Sequence, residues 1–426
     1  MNKFSKGLLL SLALVYSHEI LATERLVVWE DVGRASTIES AVKDFEKIYD
    51  CDVDVLEKPM YHQVELLEKQ GPKGEGPDVV VLASDMVGVA KDKNLISQIH
   101  FMQVENSQYL PNSIASVTFD GELYSVPKTI ETLILFYNKD LLKEPPSTLE
   151  EYVDLSKKLR KKGKYGLLAK WELFYTTYAL MHGYGAYIFR TDNDGTINLN
   201  SYGLDTDGAV ESLKVLRKMS KADLVYDCLS GVDGYNRMYE LFSTKKAIAV
   251  INGPWAIEDY LKAGINFGIT TLPTLPNGNP MAGFLGTKGY SISKWSTHKD
   301  LAEDFLRFIN EHKYALLRYK ESRQVPPVIS VLQDPSLAND ELIQVIAQQS
   351  VHAVNMPSIP EMSYVWSVMD KAIWKVTHAE LPIDHILEDA RKDIESYIQT
   401  RIKNNYKSMD HYLLDNLKKD FNFYLN

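Results

Sequence analysis

The chain has only two cysteines in 426 residues, Cys51 and Cys228, too few to build a disulfide framework. It is also short of positive charge. Its 47 Lys and Arg face 57 Asp and Glu, for a formal net charge of −10, so no basic patch points to nucleic acid and the surface disfavours a polyanionic ligand. The ten histidines are scattered from His18 to His411 with no ligand-like spacing, and no metal or cofactor is expected. Neither a Gly-x-Ser-x-Gly elbow nor a His-Glu-x-x-His motif is present. The one long apolar run near the start, "GLLLSLALVY" at 7–16, is too short to span a bilayer.

That run follows Lys3 and Lys6 and has the form of a secretion signal, with cleavage expected after Ala22. Residues 1–22 carry two lysines and one glutamate, so the mature net charge is −11. No cysteine lies near the cleavage point, which argues against a lipid-anchored terminus. Export permits a Cys51–Cys228 disulfide, but the two fall in different expected lobes, and free thiols are the expectation.

What is present is an alternation of strands and helices in a chain long enough for two cores. "RLVVWE" reads as a strand. "TIESAVKDFEKIY" carries Ile38, Ala41, Val42, Phe45 and Tyr49 on one helical face. "PDVVVL" (77–82) is continuously apolar, as in a strand buried on both sides. Thr148 and Glu151 form a capping-box pattern, and "HKDLAEDFLRFINEH" repeats the helical signature with Leu301, Phe305, Leu306 and Ile309. This is the pattern of an α/β protein.

In open α/β sheets, ligands bind beyond the carboxyl ends of the strands. Conspicuous residues stand there. Asp85 follows "VVVLAS", Glu131 lies in "VPKTIETLILFYN", Glu172 and Phe174 lie in "KWELFY", and Trp255 follows "AIAVING". Trp366, in "MPSIPEMSYVW", is a fifth candidate. Carboxylates accept strong hydrogen bonds from hydroxyls, and aromatic faces pack on C–H faces. Acids with aromatics and few metal-type ligands therefore suggest a carbohydrate. Each residue also has an ordinary reading, as a solvated acid or, for Trp366 beside Val365 and Val368, as core.

These residues lie in stretches that resemble a known family. "GEGPDVVVLASD", "LFYNKDLLKEPPSTLEE", "AVINGPWA", "FGITTLPT", "DLAEDFLRF" and "MPSIPEMSYVW" occur in the order found in the periplasmic maltose/maltodextrin-binding proteins of ABC importers, within the family 1 extracellular solute-binding proteins. The match runs from "LVVWE" to about residue 400. The resemblance implies a two-lobed periplasmic-binding-protein fold of type II-like form, with a ligand cleft between the lobes. It implies hydroxyl-binding acids at Asp85, Glu131 and Glu172, stacking rings at Trp255 and Trp366, Phe174 where a tyrosine stacks, and Arg34 in place of a sugar-contacting lysine. It departs from the family at Leu82 and Met86, where a tryptophan and an arginine often stand, and at Gly33. "KPMYHQVELLE" lacks the paired acids the family can show. These changes put a preference for maltose in doubt, and Tyr61 or His62 is the conjectured replacement.

The expected lobes are 24–129 with 288–327, and 130–287 with 328–400, crossing near Thr129, Lys288 and Val328. Residues 401–426 form a C-terminal extension with Tyr412, Leu413, Leu417, Phe421 and Tyr424 on a helical stripe. The expected function is capture of a maltodextrin-like oligosaccharide by lobe closure in the periplasm, as a monomer, with delivery to an ABC transporter permease. The alternatives are another sugar, a sensory carrier for a chemoreceptor, and a glycoside hydrolase using Glu131 and Glu172, whose carboxyls would then stand roughly 5–10 Å apart.

Overall fold

A computed structural model describes residues 23–403 except 193–196, 223 and 225–232. The signal segment, Cys228 and the stripe at 412–424 lie outside the described residues. Cys51 is a buried free thiol.

Among the described residues, the strands form two principal sheets. The first contains β1 (Glu24–Glu30), β2 (Cys51–Glu57), β3 (Val79–Ala83), β4 (Ile96–Ser97), β5 (Val126–Glu131), β10 (Phe284–Ser293) and β11 (Val354–Asn355). Its path runs β11-β10-β3-β1-β2, with β4 and β5 also paired to β10. The second has the order β9-β6-β8-β7, from β6 (Ile134–Asn138), β7 (Tyr165–Leu168), β8 (Ala247–Asn252) and β9 (Phe267–Thr270). The chain leaves the first sheet at Glu131 and enters the second at Ile134. This is a two-lobed α/β fold built on these two sheets.

Local chemistry accounts for the elements. All five residues of β3 are buried, as its unbroken apolar run requires, and a fully buried Val or Leu is worth about 1.5–3 kcal/mol. Helix α1 (Glu39–Tyr49) buries Ala41, Val42 and Phe45. Ile38 belongs to the short 3₁₀ turn before it, and Tyr49 stacks on Phe45 at the edge of that face. The capping box is formed: Thr148 accepts from the Glu151 amide while Glu151 accepts from the Thr148 amide. Helix Lys299–Ile309 buries Phe305, Leu306 and Ile309.

The helices that reach the cleft are α2 (Ser84–Asp92), α3 (Phe174–Gly183), α4 (Gly234–Ser243), α5 (Ile257–Lys262) and α6 (Met362–His378). The last described helix, α7 (Ile383–Lys403), packs on α6. It includes Arg401, which pairs with Asp92 at 2.5 Å and Glu361 at 3.2 Å. Among the described residues no helix is long and apolar enough to cross a membrane.

Under the cleft, a buried charge cluster joins three strands. Glu30, at the end of β1, accepts from Lys128 of β5 at 2.6 Å and from the Tyr290 hydroxyl of β10 at 2.7 Å. It also accepts from the Asp31 amide at 2.8 Å. Burial lowers the Lys128 ammonium to about 8, against the pull of Glu30. Burying an ion pair adds little net stability, while removing one partner strands a charge. The cluster fixes where β1 ends and therefore where Asp31 emerges.

Candidate functional site

The carboxyl ends of the strands meet around a cavity of about 980 Å³, at the upper end of the ~300–1,000 Å³ span of small-molecule sites. Asp31 follows β1, Asp85 follows β3, Trp255 follows β8, and Glu131 ends β5. Tyr175 of α3 and Trp366 of α6 complete an aromatic wall.

Trp255 owes its pose to the glycine before it. Strand β8 stops at Asn252, whose side chain accepts from the Gly253 amide at 2.9 Å, and Pro254 opens a short 3₁₀ turn leading into α5. A Cβ on Gly253 would sit 2.0 Å from the indole, so only glycine lets the ring fold back over the strand end. The half-buried indole lies 6.3 Å from the Tyr175 ring and 5.8 Å from the Lys288 ammonium. Tyr175 is in turn 6.2 Å from Trp366.

Asp85 stands in the first turn of α2. One carboxylate oxygen accepts from the Trp366 indole N–H at 3.2 Å. The other is buried and has no hydrogen-bond partner among the described residues. Burial raises the Asp85 carboxyl above its ordinary range, opposed by the indole and the helix-start amides. Glu131 is held by Lys288 at 2.9 Å, one strand away on β10.

The remaining expected residues are placed differently. Phe174 is fully buried, 5.4 Å from Tyr178 and 5.5 Å from Trp366. As the first residue of α3 it turns inward, and its neighbour Tyr175 presents the ring to the cavity. Glu172 is not on the cavity wall and pairs with Lys170 at 2.5 Å. Arg34 is also off the wall, its guanidinium 2.5 Å from Glu258 of α5. Burial alone would raise the Glu258 carboxyl, but Lys262 and Arg34 hold it below its usual range. Leu82 is fully buried, whereas Met86 lines the cavity. Of the two conjectured replacements, Tyr61 stands on the wall and His62 does not.

Sequence reasoning missed several lining residues. Asp31 directly follows the strand "RLVVWE", so the strand-end rule that found Asp85 applied to it as well. Tyr235 and Tyr239 lie four apart on α4, and Asp370 lies four after Trp366 on α6; each pair shares a helix face. Burial raises the Asp370 carboxyl to about 7, against the hydrogen bond it accepts from the Phe174 amide at 2.6 Å. Among the described residues no cluster has the makings of a metal site.

Comparison with known proteins gives a consistent picture. The model of the family described as "Bacterial extracellular solute-binding protein" matches residues 40–345. A galactooligosaccharide-binding protein of Bacillus subtilis (strain 168) is 38% identical, covering 88% of this chain and 90% of its own. A maltodextrin-binding protein of the same organism is 34% identical, covering 85% and 88%. The crystal structure of a cyclo/maltodextrin-binding protein complexed with maltotetraose superposes with a TM-score of 0.78 at 32% identity, over 89% of this chain and 98% of that one.

Proposed function

The chain belongs to the bacterial extracellular solute-binding protein family, and from that premise we propose that it captures a maltodextrin-type oligosaccharide between its lobes. It then delivers the sugar to an ABC transporter permease. The observation that carries the reading is the pairing of an unsatisfied buried acceptor, the second oxygen of Asp85, with the wall of Trp255, Tyr175 and Trp366. A buried acceptor without a partner is costly, and a sugar hydroxyl supplies the missing donor. The rings supply flat apolar faces for its C–H groups, and Glu131 and Asp31 add acceptors on the same wall.

Closure is part of the proposal. Asp85 and Trp366 approach the cavity from opposite walls and bond directly, so a ligand touching both walls favours the closed arrangement. The proposed lobes are those read from the sequence, 24–129 with 288–327 and 130–287 with 328–400, with the first sheet continuing past these limits at 130–131, 284–287 and Val354–Asn355. Secretion to the periplasm and action as a monomer without enzymatic turnover belong to the same reading, and a sensory carrier for a chemoreceptor is its alternative.

The test is a calorimetric titration with maltose, maltotriose, maltotetraose and β-galactooligosaccharides, the last because of the galactooligosaccharide-binding relative. Binding of maltodextrins with a smaller radius of gyration in scattering is the expected result. Binding of galactosides alone would overturn the maltodextrin assignment. Identical scattering at saturation would overturn closure, and release of shorter sugars on prolonged incubation would overturn the non-enzymatic reading.

A further inference from the structure

We propose that the Arg34–Glu258 ion pair is a gate closing one end of the cleft, and that it sets the length of oligosaccharide the protein accepts. The inference rests on the reading that the cleft holds an oligosaccharide. It starts from the two walls. Arg34 lies in the turn after β1, whose Asp31 lines the cavity; Glu258 lies on α5, whose Asp259 and Lys262 line it too. The pair therefore stands immediately beside the cavity and joins the lobe of the first sheet to the lobe of the second.

Both ends of this bridge are anchored. The Arg34 amide donates to the Asp31 carbonyl at 3.1 Å, and the Thr37 amide donates back to the Arg34 carbonyl at 3.1 Å. The Ala35 amide donates to Glu57 of β2 at 3.0 Å, so the turn is pinned to the first sheet. On the other wall, Lys262 holds the second oxygen of Glu258 at 2.6 Å. Glu258 thus gives one oxygen to its own helix and one across the gap. Side-chain exposure is only 13% for Arg34 and 28% for Glu258, which makes the pair a partly screened contact and not a freely solvated one.

The steric consequence is direct. With the guanidinium and carboxylate 2.5 Å apart, no sugar ring passes between them. An oligosaccharide that fits inside the cavity leaves the bridge intact and gains the closed state. One that runs past this end has to break the bridge and hold the walls apart. Separating a partly exposed ion pair weakens binding by up to about fivefold, and incomplete closure adds to that. The sequence marks the same place, since Arg34 stands where the resemblance puts a sugar-contacting lysine, yet here its charge is committed to the opposite wall.

The experiment titrates wild type, Arg34→Ala, Glu258→Ala, Glu258→Gln and the double exchange Arg34→Glu/Glu258→Arg with linear α-1,4-glucans and β-galactooligosaccharides, from disaccharide to heptasaccharide. The readout is the ratio of affinities for the longest and the shortest sugar bound. The expected result is a ratio raised by up to about fivefold in the single variants and returned towards wild type in the double exchange. An unchanged ratio, or an equal loss at every length, overturns the gate while leaving sugar binding intact. A wild type that binds none of these sugars overturns the ligand reading and the gate with it. Because Glu258→Gln keeps the shape of the side chain, a folding defect in either alanine variant does not blur the outcome.

Discussion

Replacing Trp255 with alanine separates a stacking platform from a core pillar. The indole is half-buried, packed against both large core clusters yet open to the cavity. A tryptophan buries about 150–250 Å². If half of that area is covered by sugar, roughly 75–125 Å² at ~25 cal/mol per Å² gives about 2–3 kcal/mol of binding. That is roughly a thirty- to 150-fold loss of affinity. The stability cost should stay below the ~3–5 kcal/mol of a fully buried tryptophan, because the cavity-facing side has no protein contacts to lose. Calorimetric affinity and the melting midpoint, measured on the same sample with and without maltotetraose, decide between the two. A melting loss of full core size with unchanged affinity in the folded fraction would refute the stacking argument.

Three further predictions follow from the same wall. Gly253→Ala keeps the tryptophan but displaces it, since the added methyl would meet the indole at 2.0 Å; the expected result is a loss of affinity approaching that of Trp255→Ala, read by the same titration. Asp85→Asn removes a carboxylate whose ionised form is disfavoured by burial, so the unliganded protein should melt higher. Sugar should bind about 1.5–3 kcal/mol more weakly, the worth of a hydrogen bond to a charged group; an unchanged affinity would remove Asp85 from the site. Asp370→Asn addresses pH. The Asp370 carboxyl is raised to about 7 in the fold from an ordinary 3.8, so between those values the folded state holds the proton and the unfolded state has lost it. Its contribution to stability therefore falls as pH rises from about 4 to about 7. Chemical denaturation should show the variant gaining on wild type across that window, and a constant difference would refute the shift.

Much of the fold was legible because local and global signals agree. The unbroken run in β3 and the helical stripes of α1 and of Lys299–Ile309 could be buried in few other ways. The capping box at Thr148 is a four-residue interaction and needs no tertiary partner. Asp85, Glu131, Trp255 and Trp366 were found because each lies next to a strand end or in a distinctive motif, and the structure brings all four to one cavity. Tyr235, Tyr239 and Asp370 were missed because a polar or aromatic residue on an amphipathic helix looks the same whether it faces solvent or a cleft.

Where the sequence and the structure part, the reason is direction. In "KWELFY" the composition promises an acid and a ring, but one residue of helical rotation, 100°, decides that Phe174 is core and Tyr175 is wall. Arg34 is a basic residue after a strand in any reading; only the approach of α5 gives its charge to Glu258. The chain alone shows that "RLVVWE" and "PDVVVL" are strands, that the stretches around Phe45 and Phe305 are amphipathic helices, and that acids and rings gather at strand ends. Those properties depend on spacing along the chain. Which side of a helix faces the cavity, which charges pair across it and which carboxylate oxygen is left without a donor were decided only when two lobes met, because contacts between residues 224 positions apart, such as Arg34 and Glu258, have no local signature.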